Sequence, residues 1–280
     1  MHSLRVPSTT RGGASLSPAA VRARFLAVRG RTEALARPLA PLAPLSPGAG
    51  PPGSSAPDLS PPDLSPIIWH LAHTTWFFEQ FVLGTRGPRA PWDPRHGHLF
   101  ESYFDAVDAR ARAPVSLPAL QEVLRWRDRV DVALVSWLDA WRATPEALRR
   151  VELGCNHEEQ HQELLLTDVG RAFSAAGAVL PYDPALPAPP PGASSALAWF
   201  EHPGGAVEVG DDDASFAFDD ERPRHAVTLR PFRLASRPVT NGEWLAFLDE
   251  GGYLRRRSWT KEGWEAVRLG RSPAMSWIRW

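Results

Sequence analysis

The 280-residue sequence is poor in several features, and each scarcity narrows the class of protein. It has one cysteine, Cys155, so a disulfide-stabilised secreted fold is excluded. No run approaches the roughly 18 apolar residues that a membrane-spanning helix needs. Excess charge is also lacking, because 31 basic residues face 32 acidic ones, so no overall field attracts nucleic acid or an anionic membrane. We therefore expect a soluble, cytoplasmic protein with no nucleic-acid or membrane partner.

Two proline-rich tracts divide the sequence into a helical and a strand-like part. Residues 1–16 are expected to be disordered or a leader, 17–178 a four-helix bundle, 179–198 a linker, and 199–280 an α+β domain. Apolar periodicity predicts helices near residues 18–39, 66–84, 117–141 and 145–173, with a shorter one at 98–110. Ser65 and Thr144 are the predicted N-caps of the second and fourth long helices.

In the second part of the sequence, apolar and other residues alternate in the pattern that is typical of strands. AVEVG predicts one strand, and HAVTLRPFRLA predicts another with a turn or bulge at Pro231. A short helix follows, with Thr240 and Glu243 as a capping box and Gly251 as its stop.

The sharpest chemical signal is NHEEQHQE, residues 156–163. Residues four apart on a helix project side by side, so His157 and His161 form a metal-chelating pair. The alternative is a solvated polar helix face. A third ligand is available from His70 or His73 on the second helix, whose apolar residues run nearly all the way round and predict burial. Geometry does not choose between these two histidines.

Neighbouring residues are assigned supporting roles. Glu163 lies about 200° round the helix from His161, so we expect it to support the site rather than to bind a metal. Asp168 lies on the face of the histidine pair and is expected to orient a ligand. Cys155 is interpreted as a small buried hydrophobic residue rather than a nucleophile. Three neutral imidazoles suit Fe(II) or Zn(II), and residue chemistry does not decide between them.

Three stretches carry a family resemblance: SPIIWHLAHTTWFFE, LGCNHEEQHQELLLTD and FAFDDERPRHAVTLRPFRLASRPVTNGEWLAFLDEGGY. In this order they resemble the hercynine oxygenases, the nonhaem-iron sulfoxide synthases of ergothioneine biosynthesis, and the similarity extends from about Val21 to Trp264. The resemblance implies a mainly α protein, with a DinB-like four-helix bundle followed by an incomplete α+β domain of the formylglycine-generating-enzyme type, which is sulfatase-modifying and C-type-lectin-like.

The resemblance also implies site residues and a reaction. By position in the matching motifs, Fe(II) is held by His73, His157 and His161. Gln160 matches a position that contacts the imidazole of hercynine, and Tyr103 is a candidate for the same substrate. The family reaction uses O2 to join hercynine to γ-glutamylcysteine or cysteine and to oxidise the sulfur. Its thiol-binding residues and its catalytic tyrosine are expected beyond residue 280, so the second domain is expected to be truncated and no catalytic residue is assigned.

Two other functions stay open. A DinB-like metal-dependent thiol transferase or hydrolase would use the bundle alone, with zinc in place of iron. A catalytically inactive, truncated fragment would bind metal without turnover. Trp69 and Trp76 are candidates to face the trimethylammonium group of hercynine, and simple packing of the bundle is the alternative.

Overall fold

The computed structural model describes residues 16–42, 65–86, 92–100, 117–140, 144–175, 182–183, 195–212 and 216–270. Contacts divide the chain into two compact units, Met1–Asp183 with Asp213–Asp219, and Pro184–Asp212 with Asp220–Trp280. The first unit is helical, and the second combines short strands and helices. Within the ranges given, no helix is long and apolar enough to cross a membrane.

The helices of the first unit are α1 (Pro18–Ala36), α2 (Ile67–Phe77), α3 (Arg95–Phe100), α4 (Leu120–Asp139) and α5 (Pro145–Ala175). The four predicted long helices are therefore present. The second one changes character, because α2 continues as a π-helical turn, Phe78–Val82, and a 3-10 turn, Leu83–Arg86. The predicted short helix at 98–110 begins earlier, as α3, and its residues after 100 lie outside the described part.

Four of these helices pack around a common core. Both α1 and α2 contact α4 and α5. The core is apolar and aromatic, and the following side chains in it are completely buried: Phe25, Leu71, Phe78, Phe100, Val123, Trp126, Leu134 and Val151. Such a core stabilises the unit through burial of apolar surface.

One predicted helix cap is present and one is not. The Thr144 hydroxyl accepts a hydrogen bond from the backbone N–H of Ala147 at 3.2 Å, at the start of α5. The N-cap of α2 is Pro66, which makes no side-chain cap hydrogen bond, so the prediction of Ser65 was wrong. Ser65 instead links the start of α2 to α5, because its backbone N–H donates a hydrogen bond to Asp168 of α5 at 3.1 Å.

Helix α5 comes close to the continuation of α2 at Gly154. A Cβ at this position would lie 2.5 Å from Cε1 of Phe78, closer than any ordinary contact. The absence of a side chain thus lets the backbone of α5 pack directly against an aromatic ring.

Two antiparallel strand pairs form in the second unit, β1 (Trp199–His202) with β4 (Phe232–Ala235), and β2 (Gly205–Val209) with β3 (His225–Leu229). The sequence HAVTLRPFRLA therefore forms two strands in different pairs rather than one bulged strand. Pro231 has no N–H to donate to a ladder, and the chain changes sheets there. Helices α6 (Asn241–Asp249) and α7 (Lys261–Arg268) follow.

The predicted ends of α6 are confirmed. Thr240 and Glu243 form the reciprocal capping box. Gly251 has a left-handed backbone with φ of 74°, which glycine adopts without steric cost.

One face of the β1–β4 pair carries exposed apolar side chains. Phe200 pairs with Leu234, and His202 pairs with Phe232. Since side chains alternate along a strand, these four residues share one face, which we call the apolar strand face. Phe200 and Leu234 are 63% and 61% exposed.

Candidate metal centre

The three histidines predicted as metal ligands lie together where α2 packs against α5. His73 comes from α2, and His157 and His161 lie one turn apart on α5. All three are buried. The centroids of their rings are separated pairwise by 5.0, 4.7 and 4.7 Å. The structure therefore brings two sequence-distant motifs into one cluster of imidazoles.

One pair of nitrogens in this cluster has the spacing of ligands to a common metal, and the third histidine lies close to both. One ligand atom from each histidine lies within 4.8 Å of the others. Nε2 of His73 and Nε2 of His157 are 3.2 Å apart. Two nitrogens bound to one metal at about 2.1 Å are separated by about 3.0 to 3.4 Å at octahedral to tetrahedral angles. The donor set thus fits a borderline divalent metal such as Fe(II) or Zn(II).

A backbone carbonyl fixes the protonation of His73. Its Nδ1–H donates to the carbonyl of Phe100, the last residue of α3, at 2.6 Å. A neutral imidazole carries one proton, so Nε2 keeps its lone pair and faces the other histidines. The end of α3 therefore sets which nitrogen of His73 is available.

Burial keeps the α5 histidines neutral. Burial and the neighbouring His73 lower the pKa of His157 to about 3. Burial, and then the neighbouring histidines, lower the pKa of His161 to about 2. A metal binds only the neutral imidazole, so at neutral pH these side chains are in the binding form.

Aromatic rings wall the cluster. The indole of Trp69 stacks on His73 with a centroid distance of 4.6 Å and an interplanar angle of 7°. Trp76 also stacks on His73, at 5.6 Å and 23°. Phe77 packs against His157 at 4.8 Å. These rings restrict the orientation of the imidazoles and limit access of water to them.

The predicted supporting acid Asp168 contacts His70 rather than one of the three clustered histidines. Its Oδ2 lies 3.2 Å from Nε2 of His70. Nδ1 of His70 lies in turn 3.0 Å from Nδ1 of His161. His70, the histidine that sequence geometry left as an alternative ligand, thus lies between Asp168 and the cluster.

The remaining predicted residues lie elsewhere. Gln160 and Glu163 are on α5 with exposed side chains, away from the buried face that carries the histidines. Tyr103 lies outside the described residues. Cys155 is buried, and burial raises the pKa of its thiol to about 12, which agrees with its interpretation as a small core residue.

The turn of α5 that carries the histidines also carries a buried carboxylate, Glu158. It accepts hydrogen bonds from Arg29 of α1 at 2.9 Å, from Thr32 of α1 at 2.6 Å, and from Arg127 of α4. Arg29 also pairs with Asp131 of α4 at 2.7 Å. These five side chains, which we call the buried ion network, connect α5 to α1 and α4 at the level of the candidate site.

The arginines hold Glu158 in its charged form. Burial alone raises the pKa of this carboxyl, but Arg127 and Arg29 more than offset that effect and lower it to about 2. The opposite balance holds at Asp131, where burial outweighs Arg29 and raises the pKa.

Sequence reasoning missed the buried ion network and the position of His70. A signal for Arg127 was present, because this residue lies four positions after Val123 and three before Val130, within the apolar stripe of α4. A charged residue on an apolar stripe indicates a buried ion pair. The partner cannot be found in this way, because it comes from another helix.

A second group of potential ligands is present in the described part of the chain. Asp93, His96 and Glu122 bring three ligand atoms within 4.8 Å. The two acids are only partly buried, and the ring of His96 packs on Trp126 at 4.2 Å. This set of two carboxylates and one imidazole is less specific for a transition metal than a set of three buried imidazoles.

Comparisons with known proteins show two similarities. Residues 197–276 match the family described as Sulfatase-modifying factor enzyme 1-like domain. Proteins named hercynine oxygenase are 34%, 33% and 30% identical to this chain, in Mycolicibacterium thermoresistibile, Mycobacterium tuberculosis and Mycolicibacterium smegmatis respectively.

Each of these alignments covers 71% of this chain and 44%, 46% and 46% of the relative, so the chain spans about half the length of the curated relatives it matches. The resemblance predicted from three motifs is confirmed. Over 71% of its length the chain is similar to the hercynine oxygenases, and it carries a Sulfatase-modifying factor enzyme 1-like domain.

Proposed function

We propose that the chain is an Fe(II)- and O2-dependent enzyme of ergothioneine biosynthesis that joins hercynine to γ-glutamylcysteine or cysteine as a sulfoxide. The observation that carries this proposal is the cluster of His73, His157 and His161, whose ligand atoms lie within 4.8 Å of one another. Similarity to proteins named hercynine oxygenase supports it.

The proposed domain organisation follows the same comparison. Residues 17–178 form a DinB-like bundle, 179–198 a linker, and 199–280 the part of a formylglycine-generating-enzyme-like domain that this sequence contains. The match of residues 197–276 supports the last assignment.

The proposed reaction is balanced without another oxidant. The imidazole C–H and the thiol S–H are lost, a C–S bond forms, one oxygen atom joins the sulfur, and the other leaves as water, so O2 accepts four electrons. Iron supplies the redox chemistry and a common binding point for the reactants.

In this proposal, the protein's own residues hold the metal and orient hercynine. His73, His157 and His161 provide three nitrogen ligands and leave other positions open. The indole faces of Trp69 and Trp76, both buried beside His73, suit a trimethylammonium group, which has no N–H to donate. Gln160 is proposed to contact hercynine by its position in the matching motif, and Tyr103 is a candidate for the tyrosine of the bundle that serves the same substrate in relatives.

The test is mass spectrometry of an aerobic reaction that contains the Fe(II)-loaded chain, hercynine, and either thiol. A hercynyl sulfoxide would establish the activity and identify the thiol. If product is absent although one equivalent of iron is bound, the proposed activity of this chain is wrong. If the chain instead holds zinc that Fe(II) does not displace, this result would favour a thiol transferase or hydrolase.

A further inference from the structure

A chain of three polar side chains connects α5 to α2 and returns to α5. It begins at His161, passes through His70 and ends at Asp168, with contacts of 3.0 and 3.2 Å. Asp168 also accepts the backbone N–H of Ser65 at 3.1 Å. His70 is 2% exposed and His161 is 7% exposed, so the contact between the two imidazoles is screened from water.

The acceptor at one end determines the protons along the chain. A carboxylate oxygen can only accept, so the hydrogen bond to Asp168 requires a proton on Nε2 of His70. When His70 carries this one proton, it has a lone pair on Nδ1 and accepts from Nδ1–H of His161. His161 is left with its lone pair on Nε2, the nitrogen not engaged by His70.

We propose that His70 and Asp168 are positioning residues that hold His161 with its Nε2 available to the metal. This inference rests on the proposed function only in assuming that a metal occupies the three-histidine cluster. Neither residue is a ligand, and each acts through His161. Partners of this kind orient ligating histidines and typically change metal affinity by about 10- to 100-fold.

Two substitutions of His70 distinguish positioning from packing. His70→Asn places an amide oxygen near the position of Nδ1 and can still accept from His161. His70→Phe keeps a ring but removes the acceptor. Positioning predicts that His70→Phe binds metal more weakly than His70→Asn, whereas packing predicts the reverse order, because the amide fills less of the buried space.

The measurement is an anaerobic titration of the 280-residue chain with Co(II), monitored by the visible absorption of the bound metal. This absorption reports both the affinity and the ligand geometry. We expect His70→Phe to raise the Kd for Co(II) by about 10- to 100-fold and to alter the spectrum. A Kd equal to that of the unchanged protein, or the reverse order of the two variants, would overturn the proposal. Complete loss of binding by a variant that remains folded would also overturn it, because His70 would then be a ligand.

A second variant covers the case in which His70→Phe does not fold. Asp168→Ala removes the oxygen that accepts from both His70 and Ser65. We expect a higher Kd for Co(II), and an unchanged Kd would contradict the positioning role.

The variant His157→Ala separates the two proposals. If it still binds Co(II) as the unchanged protein does, the proposed metal centre is wrong. If it loses Co(II) while the His70 and Asp168 variants bind normally, the metal centre stands and the positioning role alone fails.

Discussion

At the scale of single residues, the histidine cluster makes the most direct prediction. Replacing His161 by Ala removes one of three nitrogen donors, so we expect metal affinity to fall by more than the about 100-fold that outer partners cost. His225→Ala, an exposed histidine of the second unit, is the matched control and should retain metal. Metal content after anaerobic loading with Fe(II) and desalting measures both, and one equivalent retained by His161→Ala would contradict the assignment.

Two adjacent glutamates on α5 provide a matched pair for the buried ion network. Glu158 is completely buried between two arginines, whereas Glu159 is exposed and pairs with Arg24 at 3.0 Å. Glu158→Gln removes the buried carboxylate that Arg29 and Arg127 share, and we expect a loss of about 3–5 kcal/mol in the free energy of unfolding. Glu159→Gln should cost about 1 kcal/mol or less. Urea unfolding followed by circular dichroism compares them, and equal losses would show that the network does not stabilise the fold.

How far these residues could be predicted depends on how local the information is. The spacing of His157 and His161 is a property of one helix, so the sequence predicts the pair. The choice between His70 and His73 depends on how α2 is rotated against α5, and single-helix geometry left it open. Glu158 lies between the two histidines in the sequence, yet its burial depends on arginines from α1 and α4.

At the scale of elements, the contact of α5 with the continuation of α2 depends on Gly154. Gly154→Ala would place a Cβ 2.5 Å from the Phe78 ring, so we expect a loss of about 1–3 kcal/mol through overpacking. Gly170→Ala lies on the same helix, where the added Cβ would meet no atom beyond the neighbouring backbone of its own helix within 4 Å, and should instead stabilise by about 0.5–1 kcal/mol. The two free energies of unfolding, measured in urea, should therefore change in opposite directions. A shift of the same sign in both would contradict the close approach.

Elements were predictable where local signals were strong. The capping box at Thr240 and the N-cap at Thr144 are local, and both are present. Two features depend on distant partners and were not predicted. They are the π-helical turn after α2, and the separation of β3 and β4 into different pairs.

At the scale of the whole molecule, stability of the metal-free protein should fall in acid. The pKa of His157 is lowered from 6.5 to about 3 and that of His161 from 6.5 to about 2, so below pH 6.5 the unfolded chain binds protons that the folded one does not. Each histidine then lowers the free energy of unfolding by up to about 1.4 kcal/mol for each pH unit below 6.5. Glu158, with its pKa lowered from 4.5 to about 2, adds a further loss as the pH falls below 4.5.

Urea unfolding of the metal-free chain between pH 8 and pH 5 measures this dependence. The free energy of unfolding should decrease below pH 6.5, and the decrease should be smaller in His157→Phe, which removes one titrating group. An unchanged free energy across this range would contradict the burial of neutral histidines.

The apolar strand face has a consequence for handling the protein. Phe200, Phe232 and Leu234 form a hydrophobic surface on a two-stranded ladder, and such surfaces promote association between chains. We expect light scattering by the 280-residue chain to rise with concentration and to fall in Leu234→Lys, with Val132→Lys on the exposed side of α4 as a control that leaves it unchanged. Colloidal behaviour, rather than folding of the helical unit, would then set the concentration at which this protein can be studied.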